Sequence, residues 1–177
     1  PFSALTGVSL VIGYALLGAT WLIWKTEGPL QEDARRFARP LALALLVAIA
    51  AVSAYTPFLE AKYYQRWFSY PGIFAAAQMP LLVAITGFLL WRALRGSRDG
   101  LPFVLALTLF GLCMVGLAIS IWPDVIPGRV SIWTAAAPER SQIFMLVGAA
   151  IMVPVILAYT GWAYWVFRGK VDEAGYH

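Results

Sequence analysis

The sequence predicts an all-α integral membrane protein, with about five transmembrane helices in one bundle, and three observations carry that prediction. Of its 177 residues 61% are hydrophobic and 12% charged, about half the charge share of a soluble domain. Five stretches close to the roughly 20 residues that span a bilayer contain no Asp, Glu, Lys, Arg or His. Trp21, Trp24, Trp91, Trp122, Trp162 and Trp165 fall near the ends of those stretches, where amphipathic rings settle at headgroup level. No soluble fold could hide this apolar surface behind so few polar residues. A soluble enzyme, a disordered chain and a nucleic-acid-binding module are therefore excluded.

Residues 1–177 read as a single transmembrane region with helices near 3–24, 41–59, 73–91, 101–122 and 143–167. The first apolar stretch, Ser3 to Trp24, covers about 33 Å at about 1.5 Å per residue and is followed at once by Lys25. The second, Leu41 to Tyr55, is short and needs Phe58 and Leu59, or a thin local bilayer, to cross fully. Ile73 to Trp91 contains Pro80, the fourth stretch runs from Leu101 to Trp122, and Ile143 to Phe167 contains Pro154. In lipid, carbonyls freed by a proline are recovered from neighbouring groups, so neither Pro80 nor Pro154 argues against a helix.

Loop charges set an expected orientation. The first loop (Lys25, Arg35, Arg36, Arg39), the third (Arg92, Arg95, Arg98) and the tail (Arg168, Lys170) carry nine cations. The alternate loops carry four, Lys62, Arg66, Arg129 and Arg140, and the richer set is normally cytoplasmic. The N-terminus is therefore expected outside and the C-terminus inside. Between the second and third helices Phe58, Tyr63, Tyr64, Trp67, Phe68 and Tyr70 crowd together, which reads as an interfacial segment on the outer surface. The loop from Pro123 to Gln142, with the apolar run Val130 to Trp133, is expected to fold back over the bundle.

Candidate chemistry is sparse. One Cys excludes an intrachain disulfide and a thiolate cluster, and one His, at the last position, excludes a multi-histidine metal or haem site. Small-residue pairs such as Gly13 with Gly18 and Ala44 with Ala48 fit close helix packing. The groups at membrane depth, Gln78, Thr108, Ser120, Thr86, Ser53 and Thr160, are expected to bond neighbouring helices; none is ionisable, as a proton or ion path would require. Cys113 reads as a small hydrophobe, and Met79, Met114, Met145 and Met152 as core filler. Lys25 and Glu27 are expected to pair or to cap the first helix; the alternative is a contact with another subunit or an anionic headgroup. Arg66 beside Trp67 reads as an interfacial cation. The chain starts at Pro1 rather than Met, and the expectation is a fragment lacking its N-terminal part.

Several motifs in order resemble one family. The stretch from Gly13 through Trp21, Trp24, Lys25, Glu27 and Gly28 to Leu30-Gln31 resembles the sixth-helix region of subunit II of cytochrome bd-type quinol oxidases. So do Arg66 to Pro71, Ser131 to Pro138, Val153 to Thr160 and Tyr164 to Val171, which look most like the cyanide-insensitive branch. The resemblance covers essentially the whole chain and corresponds to the C-terminal half of that subunit. It implies a bacterial inner-membrane complex that oxidises quinol and reduces dioxygen to water. Haem b and haem d-type groups and the quinol-oxidising loop then belong to the partner, subunit I, and this chain binds no cofactor. Its partners would be subunit I, membrane lipid and the missing N-terminal half, with no nucleic acid. The family's proton-supply acid lies in that missing half, so no catalytic, haem-binding or metal-binding residue is assigned here. Lys25, Glu27, Trp67, Pro71, Trp133, Pro154 and Tyr159 are expected to matter for structure or the subunit interface. The rivals are a fragment of a small multispanning transporter or permease, which calls for a polar midplane site on broken helices, and a membrane assembly factor without a redox partner.

Overall fold

The computed structural model describes residues 2–56, 72–126 and 129–170, and for 72–77 the backbone alone. These residues form helices α1 (Phe2–Lys25), α2 (Pro29–Tyr55), α3 (Gly72–Ala93) and α4 (Leu101–Ile121), strands β1 (Asp124–Ile126) and β2 (Val130–Ser131), and helices α5 (Ile132–Ala135) and α6 (Glu139–Val166). By length and composition α1, α2, α4 and α6 are long and apolar enough to cross a membrane, and α3 contributes a shorter apolar helix over Gln78–Ala93. The protein is thus an all-α membrane protein with a small hairpin as its only strands among the described residues. The chain divides into two compact units: the first runs to Trp122 and includes Lys170, the second from Pro123 to Gly169.

In the first unit α1 packs on α2 and α4, and α3 packs on the same two, so the four helices close into a ring. Without a hydrophobic drive between helices in lipid, close backbone approach and van der Waals contact must hold them. The sequence provides for this with a stripe of small residues on α2, Ala34, Ala38, Ala42 and Ala48 with Leu45, all buried. Facing them, α1 buries Gly13, Leu16, Thr20 and Ile23, and Leu90, Leu94, Ala106 and Leu109 complete the core. Where α2 meets α3, a Cβ on Gly87 would lie 2.5 Å from Leu46 Cδ2, so a larger residue there would have to displace the Leu46 side chain.

Two expectations are corrected here. The second helix starts at Pro29, well before Leu41, because a search for charge-free stretches stops where the membrane stops and a helix need not. At 27 residues α2 is about 40 Å long against a hydrocarbon slab of about 30 Å, so its charged first turns extend past the slab. Its expected continuation to residue 59 lies outside the described residues beyond Thr56. The hydroxyls of Thr108 and Ser120 bond Val104 O and Gly116 O, one turn back on their own helix, at 2.8 and 2.9 Å. Thr108 makes this bond in place of the expected one to a neighbouring helix, because the nearest carbonyl in lipid is the one four residues earlier.

The α1–α2 turn is tight. Thr26 N–H closes α1 on Leu22 O at 2.9 Å, Gly28 takes φ 69 and ψ −149, and Pro29 starts α2 with its φ already set. That backbone region is essentially reserved for glycine. Gly28→Ala should therefore lower the thermal unfolding midpoint in mild detergent, at a cost of about 1–3 kcal/mol. Gly7→Ala, whose added methyl meets nothing within 4 Å, should not.

In the second unit β1 pairs antiparallel with β2, in the register Asp124 to Ser131 and Ile126 to Val130. The stretch from Pro123 to Gln142 is thus built from local structure rather than open loop. Ile132 N–H bonds Pro123 O at 2.8 Å, and Ser131 caps α5 by accepting from Thr134 N–H at 3.3 Å. Gln142 Nε2 donates to Ala137 O at 2.6 Å, tying the entry of α6. Pro154 lies inside α6, and none of that helix's residues is buried.

Candidate functional site

One end of the first unit gathers its charged groups, and the folding of the adjacent turns explains why. Because α2 runs helical from Pro29, Gln31 lies in its first turn, close to the end of α1, and its Nε2 caps Ile23 O at 2.8 Å. Four residues further on, Arg35 reaches the α3–α4 loop, donating from Nη1 to Gly96 O at 3.1 Å and from Nη2 to Asp99 Oδ1 at 2.6 Å. Lys170 Nζ donates to the other oxygen of Asp99 at 2.6 Å and lies 3.4 Å from Glu27. Asp99 is thus a carboxylate shared by two cations at the junction of the α1–α2 turn, the α3–α4 loop and Lys170. Gly100 beside it packs against Trp24, whose Nε1 would lie 3.1 Å from an added Cβ.

The charges set one another's titration. The hydrogen bond from Lys170, then that from Arg35, holds Asp99 below its ordinary value, against the opposing effect of burial. Asp99 in turn raises Lys170 above its ordinary value, with Glu27 adding to it. A lowered carboxylate contributes stability above its unfolded pKa and loses it as pH falls through the folded value; a raised ammonium contributes below its unfolded pKa and loses it as pH rises through the folded one. The stability difference between wild type and Asp99→Asn should therefore be flat from about pH 5 to pH 9. It should shrink in acid below the usual carboxylate range, as unfolding midpoints across a pH series will show.

Aromatic rings border this end. Trp21 and Trp24 meet edge to face at 5.4 Å and both pack on Phe103. Lys25 Nζ lies 5.3 Å from each indole, and Arg95 lies 4.9 Å over Trp91. In the second unit Arg168 lies 4.8 Å over Trp165, which contacts Trp162.

The residues singled out from sequence are dispersed. Lys25 sits in the aromatic border and Glu27 on Lys170, so both join the charged end, while Trp67 and Pro71 lie outside the described residues, as do the aromatic segment around them and His177. Trp133 is on α5 and Pro154 and Tyr159 on α6; Trp133 and Tyr159 are 73% and 75% exposed. Sequence reasoning did not single out Asp99, Arg35, Lys170 or Gln31. The available signal was an isolated carboxylate directly after Arg92, Arg95 and Arg98.

Among the described residues no group of His, Cys, Asp and Glu could hold a metal ion. Cys113 and Met114 are consecutive on α4 and both exposed. Met145 and Met152 line one groove on a single face of α6 with Phe144 and Gly148. The described apolar spans also carry no ionisable group of the kind a transporter's midplane site uses.

Comparison with known proteins agrees with the helix pattern. The family model for cytochrome bd terminal oxidase subunit II matches residues 1–167. The chain is 24% identical to cytochrome bd-I ubiquinol oxidase subunit 2 of Escherichia coli K12, over 98% of this chain and 53% of that protein. It is 27% identical to a probable cytochrome oxidase subunit 2 of Haemophilus influenzae, over 97% and 53%. Identity to cytochrome bd ubiquinol oxidase subunit 2 of Bacillus subtilis is 24%, over 97% and 51%. The chain spans about half the length of these curated relatives, and the transporter reading is not favoured. With the match running the length of the helical region, the chain belongs to the cytochrome bd terminal oxidase subunit II family.

Proposed function

We propose that this chain is the C-terminal half of the non-haem-ligating subunit of a terminal respiratory oxidase. The complex oxidises quinol and reduces dioxygen to water in the bacterial inner membrane. The observation that carries the reading is the family match over residues 1–167; two relatives are named as subunits of ubiquinol oxidases. Haem b and haem d-type groups belong to subunit I. This half contributes scaffold: a ring of four helices held by small-residue contacts, and α6, whose exposed apolar surface is available for a partner. Trp133, Pro154 and Tyr159, with Trp67 and Pro71, are proposed interface residues, and Lys25 and Glu27 structural ones. Alone, the chain is inactive. Arg35, Asp99 and Lys170 meet at one end, which supports placing the first loop, the third loop and the tail on one side, cytoplasmic by their positive charge.

In a strain stripped of its other terminal oxidases, disrupting the gene within this region should abolish quinol-dependent oxygen uptake and the haem d absorbance of the membranes. Complementation should restore both. Uptake and absorbance that survive the disruption would overturn the proposal.

A further inference from the structure

The first unit is electrostatically lopsided. Its Asp99 end carries Lys25, Arg35, Arg36, Arg39, Arg92, Arg95, Arg98 and Lys170, eight cations, against Glu27, Glu32, Asp33 and Asp99, four carboxylates. At the opposite end the described residues of α1, α2, α3 and α4 carry no charge, and the intervening stretch 57–71 adds by sequence only Glu60, Lys62 and Arg66. The carboxylates are also largely occupied, Asp99 and Glu27 by Arg35 and Lys170, and Asp33 loosely by Arg36 at 3.9 Å. Arg39, Arg92, Arg95 and Arg98 are exposed and pair with no carboxylate among the described residues.

Two further features place this end of the unit at the membrane boundary. Lys25 and Arg95 stand over Trp21, Trp24 and Trp91, and indoles settle at the boundary between hydrocarbon and headgroup. Beside Arg36 and Arg39, Phe37 is 68% exposed, an apolar ring set among cations on the helical turns that leave the slab. Exposed arginines without a carboxylate partner, one of them, Arg95, over an indole, beside an exposed apolar side chain, match the phosphate and acyl boundary of an anionic phospholipid.

We propose that this end of the bundle is a docking surface for anionic phospholipid headgroups, with Arg39, Arg92 and Arg95 taking the phosphates, Lys25 supporting them and Phe37 inserting beside them. The inference does not rest on the oxidase reading, since it needs only a membrane-spanning chain. The test uses the complete subunit, with whatever partner co-purifies, in lipid nanodiscs of phosphatidylcholine. Capture of a spin-labelled phosphatidylglycerol is compared with that of the phosphatidylcholine analogue. The unmodified protein should prefer the anionic probe, and the preference should fall with ionic strength because the cations are exposed. Arg39→Gln/Arg92→Gln/Arg95→Gln should reduce it several-fold, toward the phosphatidylcholine level, because three exposed cations leave the surface. Replacing the same three with Lys should retain it, and Arg129→Gln/Arg140→Gln should leave it unchanged. A preference absent from the unmodified protein, insensitive to salt, or intact in the triple Gln variant overturns the proposal. Loss of a co-purifying protein from that variant with lipid preference intact would assign the surface to a protein instead.

Discussion

Replacing Gly13 with leucine is expected to cut the amount of folded subunit in the membrane several-fold, with the haem content of any assembled complex falling in step. Gly13 is buried where α1, α2 and α4 meet, and an added Cβ would lie 2.7 Å from Phe110 Cζ and 3.6 Å from Leu45 Cδ1. The Phe110 ring is also in contact with Tyr14, 5.7 Å between centroids, so it cannot swing away without breaking a second contact. Leucine adds three more carbons beyond that Cβ, and overpacking of this kind costs about 1–3 kcal/mol or more. Helices that associate in lipid through close approach have little else to compensate. Combining the change with Phe110→Ala returns volume to the same spot and should restore much of the lost protein. Quantitative immunoblots of membranes, with haem spectra on the same samples, measure both. A Gly13→Leu subunit at normal levels would show that α1 and α4 do not rely on this contact.

Asp99→Ala should be comparably disruptive for a different reason. Its carboxylate takes 2.6 Å bonds from both Arg35 and Lys170, and the Arg35 side chain is only 17% exposed. Removing it leaves a guanidinium largely out of water with Gly96 O as its remaining acceptor among the described residues. Exposed ion pairs are worth about 0–1 kcal/mol, and breaking buried ones costs about 3–5 kcal/mol; this half-buried pair should fall between, at roughly 2 kcal/mol. Lys170→Met should cost less, since Lys170 is the more exposed partner. In a double-mutant cycle with Arg35→Met, read as unfolding midpoints in detergent, most of the Asp99 effect should disappear. Additive losses would mean that the two residues stabilise the bundle independently.

These two sites show what a sequence carries and what it leaves out. The spans were legible because lipid excludes charge, so the absence of Lys, Arg, Asp and Glu over about 20 residues is itself the signal. The same rule concealed the first turns of α2, where Glu32, Asp33, Arg35 and Arg36 are helical in water. Trp21, Trp24 and Lys25 could be read together because ring and ammonium lie within one helical turn. Asp99 could not, since its partners are 64 and 71 positions away. The small hairpin after α4 also escaped, because Val130 to Trp133 carries the same apolar signature whether it is a short strand or a membrane-facing loop.

That this chain is part of an oxidase subunit which leaves haem to its partner is tested most directly by one purification. The complete subunit, tagged and extracted from its native membrane in mild detergent, is examined by reduced-minus-oxidised absorbance. Haem b and haem d-type bands together with a second, larger subunit are expected, with the bands following that subunit when the two are separated. A colourless preparation with no such partner, from cells grown to express the oxidase, would contradict the assignment.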